Sequence, residues 1–164
     1  MDSSQTTTPL PNHYNVEESE NGYTFTTNYG NVYLLTFLNY SIMNDASEYN
    51  VFTFNIDRIH FKSSRKDQKI ESTILFVLNN FFSRNNDALV LILDSIDGKQ
   101  QSRNRLFNRW FNGIEGEIHK ESYSYMIDEI EVITSLLVGK SNPYINEIKI
   151  SFKNMCDIDF YHKY

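Results

Sequence analysis

The stretch that most constrains this chain is Asp87–Asp94, "DALVLILD", in which six apolar residues run unbroken between two aspartates. A strand with one wet face would show a polar residue at every second position, and a helix would be longer and periodic. A short continuous apolar run instead reads as a strand covered on both faces. Leu89–Leu93 is therefore expected in the middle of a sheet, with other elements layered on each side.

The flanking patterns supply the layers. "GYTFTTNYGNVYLLTFLNYS" alternates large residues with threonine around a Gly-Asn pair, which predicts a hairpin with strands near Tyr23–Thr27 and Val32–Asn39. Tyr49–Ile59 alternates again and is the third strand. The period then changes: Ile70, Ile74, Val77, Leu78, Phe81 and Phe82 recur at three and four, predicting a first helix of roughly 15 residues, with Ser64 and Asp67 spaced as a capping box. Gln100–Phe111 is the second helix, with Leu106, Phe107, Trp110 and Phe111 facing inward as core. "YSYMI" and "EIEVITSLLVGK" form a second hairpin around Asp128-Glu129. Asn142 caps a last helix, Pro143 takes its first turn, and Ile145, Ile148, Phe152 and Met155 form its stripe.

The order βββαβαββα implies an α+β fold: a single mixed sheet of about six strands with helices on its faces. The passage from Tyr49 to Leu93 implies a right-handed parallel crossover. Residues 1–20, rich in Ser, Thr, Pro, Asn and Glu, read as a flexible tail, and 21–164 as one folded domain.

Composition excludes several classes of function. A net charge of −6 with pI near 5.2 weighs against a general nucleic-acid binder. The single cysteine, Cys156, allows neither an internal disulfide nor a Cys-based zinc site, and its place behind a helical stripe reads as a small buried apolar group. His13, His60, His119 and His162 lack ligand spacing. No basic-then-apolar leader opens the chain, and no apolar run approaches the ~18 residues of a membrane span. The expectation is a soluble, cytoplasmic protein with no membrane partner.

The basic residues are unevenly placed. Arg58, Lys62, Arg65, Lys66 and Lys69 lie between the third strand and the first helix, and Lys99, Arg103, Arg105 and Arg109 along the second helix. If the strands before these helices are parallel, both segments leave the sheet at one edge, where open sheets bind ligands and helix N-termini favour anions. Arg65, Lys66, Lys69, Lys99 and Arg103 are the candidate ligand-binding residues, and the partner expected is a phosphate-bearing small molecule or a protein. The plainer reading is a solvated face, with Lys99 or Arg103 paired to Asp94 and Asp97. Those two aspartates are the pair a divalent cation beside a phosphate would use, but Asp-x-x-Asp-Gly is more often turn and cap chemistry, and no metal is assigned.

On these residues the chain resembles a known superfamily. Three antiparallel strands, helix, strand, helix and a closing ribbon, over about Gly22 to Gly139, are similar to the core of the GNAT acyl-CoA-dependent N-acetyltransferases. "RKDQKIESTILFVLNNFF" sits where that superfamily carries its pyrophosphate loop and following helix, and "RNRLFNRWF" resembles its Leu-Tyr helix. The resemblance implies acyl-CoA as cofactor. No glycine occurs between Lys62 and Ile70, however, and the position implied for a proton-donating tyrosine is Phe107. Asp97–Phe111 also resembles a segment of small uncharacterised proteins of Bacteroidota, which implies a bacterial protein and no function.

Two function classes follow: a non-enzymatic binding or interaction module on a GNAT-like scaffold with a basic anion-binding edge, or an acyl-CoA-dependent N-acyltransferase with an atypical loop. A nucleotide or nucleic-acid-end sensor is a third.

Overall fold

The computed structural model describes residues 12–40, 48–84, 86–94, 97–114 and 117–161. Strands β1 (Glu17–Ser19), β2 (Gly22–Thr26), β3 (Val32–Asn39), β4 (Val51–His60), β5 (Ala88–Asp94), β6 (Ile118–Ile127) and β7 (Ile130–Gly139) form one mixed sheet, ordered β1-β2-β3-β4-β5-β7-β6. β4 and β5 are parallel and all other neighbours antiparallel. The helices are α1 (Gln68–Arg84), α2 (Gln100–Phe111) and α3 (Ile145–Tyr161).

β5 lies inside the sheet, between β4 and β7. Ala88, Leu89 and Val90 are fully buried, and Leu91 and Leu93 nearly so. Alternation divides them between two cores. Leu89 and Leu91 meet α1 and α2 side chains such as Ile74, Leu78 and Trp110. Ala88 and Val90 meet Ile148, Phe152 and Met155 of α3. Ile92 departs from the expected burial on both faces: it shares the α3 side, lies beyond that helix's cover and is 46% exposed.

The sheet is one strand larger than the six expected. The added strand, β1, falls within the stretch read as a tail, and its Glu17-Glu18-Ser19 pairs with Gly22–Thr24. Just before it Tyr14 is buried. Its N–H donates to Thr73 Oγ1 at 2.9 Å, its hydroxyl donates to the Asp67 carboxylate, and that hydroxyl accepts the Asn28 N–H at 3.1 Å. His13 stacks on Phe76 with ring centroids 3.9 Å apart. The chain is thus anchored well before residue 20. Residues 1–11 of the expected tail lie outside the described residues.

Local chemistry sets the helix starts. Asp67 Oδ1 accepts the Lys69 N–H at 3.0 Å, so Asp67 rather than Ser64 caps α1. Asn142 Oδ1 accepts the Tyr144 N–H at 2.9 Å and opens the last helix as its sequence implied. Gly22 is required by a close approach, because a Cβ there would sit 1.9 Å from the Leu35 carbonyl oxygen. At the β6–β7 turn, Asp128 and Glu129 both have positive φ, at 44° and 69°. This is the geometry of a two-residue hairpin turn that usually uses Asn-Gly.

Candidate functional site

The decisive local feature lies between the two parallel strands. Their ladder holds for only three pairs, Val51↔Ala88, Phe52↔Leu89 and Thr53↔Val90. Beyond it each strand stays paired with its outer neighbour, β4 with β3 as far as His60 and β5 with β7 as far as Asp94. The strands therefore part company, and a cleft of about 480 Å³ opens between Phe54–Asp57 and Leu91–Leu93. α2 roofs it with Arg103, Leu106, Phe107 and Trp110. In a strand, successive backbone N–H and C=O groups point alternately to the two sides, so some of these groups on both strands face the cleft.

A second cleft, about 720 Å³, lies between the first turns of α1 and the outer side of α2. Lys66, Glu71 and Arg109 line it, and it shares Leu106 and Trp110 with the first. Trp110 is the common wall. It is only 7% exposed, and its indole N–H has no hydrogen-bond partner among the described residues. A buried donor without an acceptor is uncommon and costly.

The parallel pairing brings the β4–α1 connection and the start of α2 to one edge of the sheet. The five candidate cations there are not all directed into the clefts. Arg103 lines the inner one, but its guanidinium is held by both carboxylate oxygens of Asp97, with Nη1 3.0 Å from Oδ1. Lys66 lines the outer one. Arg65 lies over the ring of Tyr29 at 5.3 Å, and Lys69 over Tyr14 at 4.5 Å. Lys99 is exposed and gives its backbone N–H to Asp97 Oδ1 at 3.0 Å.

Asp97 is thus the counter-charge of this edge. The Lys99 N–H first, and Arg103 second, hold its carboxyl below the usual aspartate range. With both oxygens engaged it is a turn residue, and no side chain caps α2. The side chain of Asp94, its partner in the metal reading, lies outside the described residues. Among the described residues no group of three or more His, Cys, Asp and Glu side chains could hold a metal ion.

The β4–α1 connection is ordered by a side chain in place of glycine. Asn31, buried in the β2–β3 turn, accepts the N–H groups of Lys62 and Ser63 at 2.7 and 3.0 Å and donates to the Ser63 carbonyl at 2.8 Å. Those amides are consumed, and at the first turn of α1 Asp67 takes the Lys69 N–H, which leaves side chains to meet an anion. Neither the parting of the strands nor the Trp110 donor was foreseen from the sequence. Phe54 and Ile56 continue the strand alternation without a break, and a ladder that stops leaves no residue signature.

A family model described as a family of unknown function, DUF6169, matches residues 66–154, more than half of the chain. The chain belongs to DUF6169. The matched part runs from the threshold of α1 into α3 and supplies one wall of the inner cleft, β5 with α2. The other wall, β4, precedes it. No curated protein and no solved structure matches the chain significantly. Among the described residues of this DUF6169 protein, no helix is long and apolar enough to cross a membrane.

Proposed function

We propose that the protein is a binding module, without catalysis of its own, for an elongated ligand that carries phosphate at one end and amides along its length. Acyl-CoA is the class this describes. The observation that carries the reading is the early end of the β4–β5 ladder, which leaves two strand edges facing a cleft at the basic edge. An amide-bearing arm laid between the strands would hydrogen-bond to backbone groups there, as an added strand does. Its phosphates would reach Lys66 in the outer cleft, and an oxygen near Trp110 would satisfy the buried indole N–H. Phe107 in the roof has no proton to give, which favours binding over acyl transfer.

A second reading has its own support. Four strands precede α1 where the GNAT-like pattern has three, but one parallel pair lies between antiparallel arms, and analogy with that core makes an acyl-CoA-dependent N-acyltransferase the second reading.

Calorimetric titration of CoA, acetyl-CoA, ATP and a short RNA into the protein separates these readings. Binding of CoA and acetyl-CoA is expected, with Lys66→Ala/Arg103→Ala losing about tenfold or more. Asp97→Asn keeps the turn acceptor and releases Arg103 from its counter-charge, so it is expected to tighten binding. Acetyl transfer to an amine acceptor would establish the second reading, and RNA binding alone the sensor. No binding of any probe would leave the edge a solvated face.

A further inference from the structure

The opposite edge of the sheet carries a different chemistry. There the β1–β2 turn, the start of β4 and the end of α1 enclose a cleft of about 450 Å³. Phe37, Phe52 and Phe81 build its wall, nested by contact: Phe37 stacks on Phe81 with centroids 5.0 Å apart, and Phe52 meets Phe81 edge-on at 5.9 Å. Tyr23 extends the wall and meets Phe37 edge-on at 6.3 Å. All four rings are only half-buried, so each keeps surface to offer a ligand. Glu18, Glu20 and Asp87 also line the cleft, and no lysine or arginine is among its described lining residues.

The geometry points to this cleft as a binding site for a linear aliphatic polyamine. Aromatic rings attract ammonium groups through their negative faces and also cover apolar methylenes, while carboxylates match further ammonium charges. A chain alternating charged nitrogen with short hydrocarbon segments meets both demands along its length. A bare divalent cation would use only the acids, and these do not form a metal-ligating group. The wall is also preformed. Gly22 allows the β1–β2 turn to lie against β3, where the Phe37 N–H donates to the Asn21 carbonyl at 2.9 Å, and Asp87 Oδ1 is fixed by the Asn50 N–H at 3.1 Å.

The site is independent of the basic edge, and its test uses the full chain. Spermidine titrated at low ionic strength is expected to bind saturably at one site and to weaken as salt rises. Glu18→Gln/Glu20→Gln/Asp87→Asn should weaken it by about tenfold or more, with the melting curve checking the fold. Glu147→Gln/Asp157→Asn, which removes two acids on α3, should leave it unchanged. Loss of affinity in both variants, displacement by magnesium as effective as by putrescine, or no saturable binding would each overturn the proposal.

Discussion

Tyr14 is the residue on which the most distant parts of the chain converge. Its hydroxyl joins the cap of α1 to the β2–β3 turn through Asp67 and Asn28, while its backbone N–H bonds Thr73. Burial first, and the hydrogen bond to Asp67 second, raise its pKa above the ordinary 10.0. Tyr14→Phe is expected to cost about 0.5–1.5 kcal/mol at neutral pH, because it removes two part-buried hydrogen bonds, one to the Asp67 carboxylate and one from the Asn28 N–H. The protonated phenol is the form the fold favours, so its contribution is complete below the unfolded-state pKa. It fades as pH rises through the higher folded-state value. Denaturant melts of both proteins from pH 7 into the alkaline range should therefore show the gap between them closing above the ordinary tyrosine range. A gap constant with pH would mean that protonation of the hydroxyl is not coupled to folding.

The elements differ in how openly the sequence announces them. α2 spans Gln100–Phe111 as its aromatic stripe implied, and Trp110 is buried against Phe107, whose ring lies edge-on at 5.3 Å. Trp110→Ala is expected to destabilise the protein by ~3–5 kcal/mol, read by chemical denaturation. A wild-type melt combined with lost ligand binding would instead make the indole a contact residue. The β6–β7 turn is expected to respond in the opposite direction. Glu129 holds φ 69°, where a side chain costs about 1–2 kcal/mol, so Glu129→Gly should stabilise by ~0.5–1 kcal/mol after the extra freedom of the unfolded glycine is subtracted. A thermal melt that fails to rise would show the strain relieved by something other than φ. β1 gave no such signal, because Glu17, Glu18 and Ser19 are exposed and pair through backbone, with one side-chain bond from the Ser19 hydroxyl to the Gly22 carbonyl at 3.2 Å. The pairing of Arg103 with Asp97 was among the readings open at sequence level, and only the folded turn selects it. Patterned burial is visible in a sequence; where a ladder ends, or where an isolated tyrosine docks, depends on long-range geometry.

For the molecule as a whole, the sheet order has a cost in time. β5, the most apolar strand, takes β7 as its second neighbour, with Ala88 opposite Val138 and Asp94 opposite Val132. A ribosome that has released everything up to Ile114 has therefore delivered a buried-type strand with one side still open, and the segment that closes it has yet to emerge. Until residues 130–139 arrive, β5 is an apolar edge of the kind that recruits other chains. A fragment ending at Ile114 is expected to partition into the insoluble fraction on centrifugation under conditions where the full chain stays in the supernatant. A soluble, monomeric fragment would mean that the nascent chain shields the strand by another route. If the fragment does aggregate, production of the protein depends on how quickly translation crosses the hairpin that follows α2, and slow codons between residues 114 and 139 would lower the soluble yield without altering a single residue.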